Sequence, residues 1–385
     1  MTQQHGFATR AIHDGQPADP RTGAVIPPLH FSTTYVQDGV GNYREGYEYS
    51  RAGNPTRDAF QTQLASLEGG TRAFAFPSGL SAEDSLLRAA LKPGDHVLMS
   101  NDVYGGTHRL VSKIWAKWGI ELSTCDFTDL DAVRAAVRPN TKMLWVETPS
   151  NPLMKITDLA AMAEIARDAG AISVADNTFA TPFLQQPLSL GIDAVVHSTT
   201  KYIGGHSDIL GGAVITSDAA LAEEINFVQF GAGPVASPFD SWMSARSLKT
   251  LAIRVERHCE NARLVAEALE GHSAVEAVYY PGLESHPGHA LAASQMSGFG
   301  GMVSLAVRGG AESAHKLLNG TELFQLAESL GGIESLICYP SEMTHASVRG
   351  TELEVPENIV RLSVGIENAD DLVADLLSTL DTIAS

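Results

Sequence analysis

The sequence predicts an α/β protein with three parts: an extended N-terminal arm, a large domain around a mostly parallel sheet, and a smaller C-terminal α+β domain. Three observations predict it. Between residues 72 and 215 short apolar runs alternate with amphipathic helical stretches, as in a parallel sheet covered on both faces. Beyond residue 272 come further apolar runs, two of them alternating in polarity, which suits a second sheet with one wet face. Before about residue 55, Pro17, Pro20, Pro27 and Pro28 and several glycines leave little periodicity. The expected divisions are 1–57 for the arm, 58–250 for the large domain and 251–385 for the C-terminal domain.

The arm carries Phe31, Tyr35, Tyr43, Tyr47 and Tyr49, aromatic residues that a free tail does not need. They fit an arm lying on another surface, such as a second subunit. Asn54 can cap the next stretch, 57–67, where Phe60, Leu64 and Leu67 recur at helical spacing. The expected strands of the large domain are 73–76, 96–99, 143–146, 172–175, 194–196 and 212–215, with helices between several of them, such as 129–137 and 159–168. Ligands of such sheets bind beyond the carboxyl ends of the strands. Glu147, Asp176 and the segment 198–201 all fall there. Residues 241–270 read as one long helix joining the domains. The runs 274–280, 301–307 and 359–364 supply the second sheet.

Composition limits the function classes. The chain has 385 residues, too many for one small core, with 44% hydrophobic and 18% charged residues, as in a folded protein. A net charge of −19 disfavours nucleic acid and anionic membrane as partners. The three cysteines, Cys125, Cys259 and Cys338, are odd in number and widely spaced, which suggests reduced thiols with no zinc spacing. The first residues lack a basic and apolar leader, and no apolar run reaches membrane-spanning length. A soluble cytoplasmic protein is expected.

The chemistry centres on Lys201, in His197-Ser198-Thr199-Thr200-Lys201-Tyr202-Ile203-Gly204-Gly205. It follows one apolar run, and Asp176 ends another. A lysine amine and an aspartate at neighbouring strand ends are what pyridoxal phosphate (PLP) requires: a covalent anchor and a carboxylate for the ring nitrogen. Phe76-Pro77-Ser78-Gly79-Leu80 follows a strand and opens a helix, so its backbone N–H groups can bind phosphate. Ser198 and Thr200 can add hydroxyls. Tyr104, beside Gly105 and Gly106, can lie flat on a planar ligand or pack in a turn. Asn151, in the rigid turn after 143–147, can hold a ligand oxygen or serve only the turn. Arg361, flanked by apolar residues, calls for an anion: a substrate carboxylate or an internal ion pair. His197 and His206 match no zinc spacing, so no metal is expected.

Taken together, these stretches resemble the Cys/Met-metabolism family of PLP enzymes, of fold type I. The resemblance runs through Tyr47-Glu48-Tyr49-Ser50-Arg51 and Gly53-Asn54-Pro55-Thr56, then Tyr104-Gly105-Gly106-Thr107 and Val146-Glu147-Thr148-Pro149. It continues through Ala175-Asp176-Asn177-Thr178-Phe179, 197–208, Leu326-Ala327-Glu328-Ser329-Leu330 and Met343-Thr344-His345-Ala346-Ser347. It implies a seven-stranded sheet in the large domain and PLP anchored on Lys201. Asp176 would pair with the ring nitrogen, Tyr104 would stack on the ring, and Ser78, Gly79, Leu80, Ser198 and Thr200 would hold the phosphate. Tyr49 and Arg51 would reach that phosphate from a neighbouring subunit, making a homodimer the minimal active unit and a homotetramer the expected assembly.

By the same resemblance, Arg361, Ser329 and Asn151 would bind the substrate α-carboxylate, with Arg109, Glu48 and Glu328 at the far end of the substrate. The implied substrates belong to trans-sulfuration: an O-acylhomoserine, cysteine and cystathionine. Synthesis of cystathionine is the first expectation, and its γ-elimination to cysteine and 2-oxobutyrate the second. Two departures stand out. Pro77 and Leu80 replace a serine and a methionine common at the phosphate turn, where contacts are mainly from the backbone. His108 replaces a larger aromatic, which bears on acyl preference. Gly106 stands where methionine γ-lyases have cysteine, which argues against that activity.

Overall fold

The computed structural model describes residues 5–345, 349–350 and 353–384; Ala346 and Ser347 of the last motif lie outside them. The arm contains a short helix, Phe7–His13, and otherwise runs without regular strands apart from isolated bridges such as Thr34 to Tyr49. Phe7 packs edge-on against Phe183, which pins the start of the arm to the large domain. The helix Pro55–Glu68 opens as expected, with the Asn54 side chain accepting from the N–H groups of Thr56 and Arg57. The buried Arg57 guanidinium reaches back to the Ser50 carbonyl at 2.8 Å, which fixes the end of the arm.

The large sheet has seven strands: β1 Arg72–Phe76, β2 His96–Ser100, β3 Glu121–Cys125, β4 Thr141–Glu147, β5 Ile172–Asp176, β6 Ala194–His197 and β7 Gly212–Thr216. Their order is β1-β7-β6-β5-β4-β2-β3. Strands β6, β5, β4, β2 and β3 run parallel, and β7 pairs antiparallel with both neighbours. Alternate side chains feed two cores. Met143, Trp145, Val174, Val196 and Val214 pack with Leu86 of the helix Gly79–Ala90. Leu144, Val146 and Ala175 pack with Leu159 and Met162 of the helix Leu159–Ala169. Strand β3 was not among the sequence expectations, because Glu-Leu-Ser-Thr-Cys is a partly exposed edge with a weak apolar signal.

The second sheet has five strands: β8 Val275–Tyr279, β9 Met302–Val307, β10 Gln325–Leu326, β11 Leu336–Cys338 and β12 Ile359–Ser363, ordered β10-β11-β12-β9-β8. Here the expected wet face is confined to the edges, with β8 partly exposed and β10 exposed. Strands β9 and β12 are buried along their whole length. Their polar positions turn toward other parts of the protein: the Ser304 hydroxyl donates to the Pro152 carbonyl at 2.7 Å, and the Ser363 hydroxyl accepts from the Gly331 N–H at 2.8 Å.

The expected single helix over 241–270 is also corrected, to Pro238–Leu248 and Leu251–Leu269. At the break, the buried Arg254 donates to the Ser247 carbonyl at 3.0 Å and to the Tyr202 carbonyl at 2.7 Å. The Ser247 carbonyl there also accepts from the Thr250 N–H at 3.1 Å, and the arginine ties this break to the turn after Lys201.

Gly212 begins β7 where it crosses the turn that opens the helix Gly79–Ala90. A Cβ there would stand 2.7 Å from the Gly79 Cα, closer than atoms pack. Gly212→Ala should therefore lower unfolding stability by about 1–3 kcal/mol, the usual range for overpacking. Urea denaturation of the apo-protein measures this, and an unchanged midpoint would mean that the turn yields freely.

Candidate active site

One pocket of about 210 Å³ lies at the carboxyl ends of β4, β5 and β6. The sheet register sets Glu147 beside Asp176, and His197 ends the next strand just before the lysine turn. Ser78, Gly79, Leu80, Tyr104, Asn151, Asp176, Ser198, Thr200, Lys201, Glu328, Ser329 and Arg361 line this pocket, so most of the sequence-predicted residues meet there.

The Lys201 Nζ donates to the Ser329 Oγ at 3.0 Å. Burial lowers its pKa from the ordinary lysine value to about 8; Arg361 acts in the same direction, while Glu328 and Asp176 oppose it. The amine is thus neutral in part near neutral pH. Ser329 holds φ at 94°, a region disfavoured for any residue with a Cβ. From that position its carbonyl accepts from the Arg361 Nη2 at 3.1 Å, while Arg361 Nη1 donates to the Asn151 Oδ1 at 2.9 Å. Arg361 is 2% exposed, and its hydrogen-bond partners are neutral. Among the described residues no ion pair accounts for its burial. His345 supports Asn151 by bonding its carbonyl from Nε2 at 3.0 Å, and burial lowers the histidine pKa to about 4, so the ring is neutral.

Asp176 accepts from the Thr178 N–H at 3.0 Å. Burial raises its pKa, while the Thr178 bonds and the charges of His197 and Lys201 oppose that rise. The Tyr104 N–H donates to Glu147 Oε2 at 2.7 Å. A Cβ on Gly106 would come within 2.8 Å of the tyrosine Cζ, so the glycine leaves room for the ring. At the opposite end, Ser78 caps the helix Gly79–Ala90 by accepting from the Ser81 N–H. The first N–H groups of that helix have no intrahelical acceptor and can bind an anion. A Cβ on Gly79 would sit 3.0 Å from the Ser198 Cβ, so only glycine leaves that cradle open.

Four predicted residues do not line the pocket. Arg51 donates to the Phe230 carbonyl at 2.8 Å and lies over the rings of Phe230 and Tyr49. Tyr49 is exposed, and the Glu48 carboxylate lies by the Tyr43 hydroxyl, whose pKa it raises. Arg109 is exposed, though its charge reaches Tyr104. The pocket also includes residues to which the sequence reading gave no role: Glu83, Glu147, Thr178, Leu330 and Thr344. For Glu83 a signal existed, a carboxyl on the helix face that also buries Ala82 and Leu86.

The donor set fits PLP. A part-neutral amine, a buried carboxylate and a helix N-terminus with an open glycine cradle could hold its aldehyde, ring nitrogen and phosphate respectively. Among the described residues no group of histidine, cysteine, aspartate or glutamate is arranged to hold a metal ion.

Comparison with known proteins agrees with this fit. Residues 8–381 match the family described as Cys/Met metabolism PLP-dependent enzyme. The chain is 56% identical over 375 residues to cystathionine gamma-synthase of Mycobacterium tuberculosis, covering 97% of each. To cystathionine gamma-lyase of Bacillus subtilis it is 48% identical over 378 residues, covering 97% of this chain and 99% of the relative. Among solved structures, metB of Corynebacterium glutamicum superposes with a TM-score of 0.97 at 50% identity, covering 98% of each chain. A cystathionine gamma synthase of Xanthomonas oryzae pv. oryzae, solved with aminoacrylate and cysteine, gives 0.94 at 44% identity, again covering 98% of each. With nearly the whole chain matched in sequence and in fold, the protein belongs to the Cys/Met metabolism family of PLP-dependent enzymes.

Proposed function

We propose that the protein is a cystathionine γ-synthase: it replaces the acyloxy group of an O-succinyl- or O-acetylhomoserine with the sulfur of L-cysteine. The products are L-cystathionine and the free acid. The observation that carries this reading is the meeting of Lys201 and Arg361 at Ser329, amine to hydroxyl and guanidinium to carbonyl. An amino acid whose carboxylate is held by Arg361 and Asn151 presents its Cα to the lysine. Identity to relatives named for the synthase exceeds that to relatives named for the lyase, which supports the direction.

PLP, when bound, supplies an electron sink that makes protons next to the amino-bearing carbon removable. Lys201 is its anchor and then the base that takes and returns protons at Cα and Cβ, a task for which its lowered pKa suits it. Asp176 keeps the ring nitrogen protonated, and Tyr104 covers the ring. Ser78, Gly79, Leu80, Ser198 and Thr200 bind the phosphate. Glu328, Arg109 and Glu48 face the far end of the substrate. In this reading 58–250 binds the cofactor, 251–385 supplies Arg361, and the arm 1–57 delivers Tyr49 and Arg51 to a second subunit of a homodimer, with dimers paired into a homotetramer. Exposed Val25, Phe31, Val36 and Val40 on that arm support the assembly. A cytoplasmic site of action is supported by free cysteines and by the lack of any helix, among the described residues, long and apolar enough to cross a membrane.

The direction is tested by incubating the holoenzyme with O-succinylhomoserine plus cysteine and, in parallel, with cystathionine alone. Cystathionine should accumulate in the first. Rapid release of cysteine and 2-oxobutyrate in the second, with no synthesis in the first, would make the protein a γ-lyase.

The lysine is tested by its protonation. Only the neutral amine can take up PLP covalently, so the uptake rate of apo-protein should rise with pH through a midpoint at about 8. Glu328 favours the charged amine, so Glu328→Gln should move that rise to lower pH. A rise centred near the free-lysine value, or one shifted upward by the variant, would contradict the assignment.

A further inference from the structure

Three carboxyl groups converge in the pocket wall: Asp176, Glu147 and Glu83, the last from the second turn of the helix Gly79–Ala90. They are 9%, 4% and 3% exposed. Among the described residues the wall has no metal-holding arrangement, and a protonated ring nitrogen can pair with one carboxylate. The hydrogen bonds these groups receive decide where that charge resides. Asp176 accepts from Thr178 and is favoured as an anion by His197 and Lys201. Glu147 accepts the Tyr104 N–H. Glu83 receives only the Thr107 hydroxyl, on Oε1 at 3.1 Å, and its buried Oε2 has no partner. Burial, and next the charge of Asp176, push the Glu83 carboxyl well above the usual carboxylate range. Burial, and next Asp176, do the same to Glu147.

We propose that Glu83 is a further residue of the cofactor's ring site, present as a neutral acid whose Oε2 hydroxyl donates to a group bound in the pocket, leaving Asp176 as the single anion of that wall. A charged Glu83 would face the charge of Asp176 with one hydroxyl for support, and of two buried carboxyls the one with fewer donors keeps its proton more readily. A neutral one satisfies the Thr107 hydroxyl with its carbonyl oxygen and has its own proton free to give. The role concerns how the ring is held, whichever way the reaction runs. It rests on the family's cofactor, and failure there would show separately, as wild-type protein that takes up no PLP.

The test compares wild-type holoenzyme with Glu83→Gln, Glu83→Ala and, as a reference for loss of the anion, Asp176→Asn. Infrared spectra at neutral pH should show C=O stretching of protonated carboxyl groups in the wild type, and Glu83→Gln should remove one such band. Glutamine keeps shape, neutrality and a donor, so its PLP dissociation constant should stay within about threefold of wild type, with the visible absorption band unmoved. Glu83→Ala should weaken PLP binding about tenfold, the value of one hydrogen bond with its partner left unpaired. Three results would overturn the proposal: no carboxylic-acid band lost in Glu83→Gln, a Glu83→Gln that loses PLP as Asp176→Asn does, or a Glu83→Ala that binds PLP like wild type. Should Glu83→Ala fail to fold, the infrared band and the affinity of Glu83→Gln still decide.

Discussion

A buried guanidinium joins the two halves of this protein. Arg361 extends from the central region of the small sheet, reaches Asn151 beyond β4 of the large sheet, and meets the Ser329 carbonyl on the way. Among the described residues its Nε has no partner, and its other bonds go to neutral oxygens. Burying a cation without a counter-ion is costly. Its surroundings make sense once an anion is bound beside it: the strained Ser329, the neutral His345 behind Asn151, and the lysine hydrogen-bonded to the same serine. The arginine also bears on Lys201, because its charge helps to lower the amine pKa. One residue thus links an anion-ready pocket wall, the protonation of the Lys201 amine and the contact between the sheets.

The rest of the site follows the same logic of charge held away from water. Asp176 gathers the N–H and hydroxyl of Thr178, while Glu83 and Glu147 lie beside it with fewer donors. At the other end the helix Gly79–Ala90 offers open N–H groups where glycine alone leaves space. Positive and negative features alternate across a small cavity, which suits a ligand carrying a phosphate, a protonated ring and a reactive carbonyl.

Much of this was legible in the sequence. Six of the seven strands stood out as apolar runs, because strands buried on both faces leave an unbroken signal. Asp176 and Lys201 were legible because they follow such runs directly. Strand β3 was lost because a half-exposed edge has no such run. Alternation in the C-terminal runs suggested a wet face, but alternation records only that one face is polar, and in β9 and β12 Ser304 and Arg361 use that face for buried bonds. The break before Leu251 has no proline or glycine to mark it; tight turn bonds from the Lys249 and Thr250 N–H groups, with Arg254 bridging to the Ser247 carbonyl, make it. Arg51 and Tyr49 lie away from the pocket of their own chain, as the aromatic arm led the sequence reading to expect.

The most direct test of the account is whether Arg361 recognises a carboxylate. Binding of O-succinylhomoserine to the holoenzyme can be followed by the visible spectrum and compared with the matching amine that lacks the α-carboxylate. In the wild type the carboxylate should be worth at least about 100-fold in affinity, within the range for a buried charge pair. In Arg361→Ala that preference should vanish, leaving the two ligands nearly equal. A variant that still prefers the carboxylate 100-fold would contradict the account.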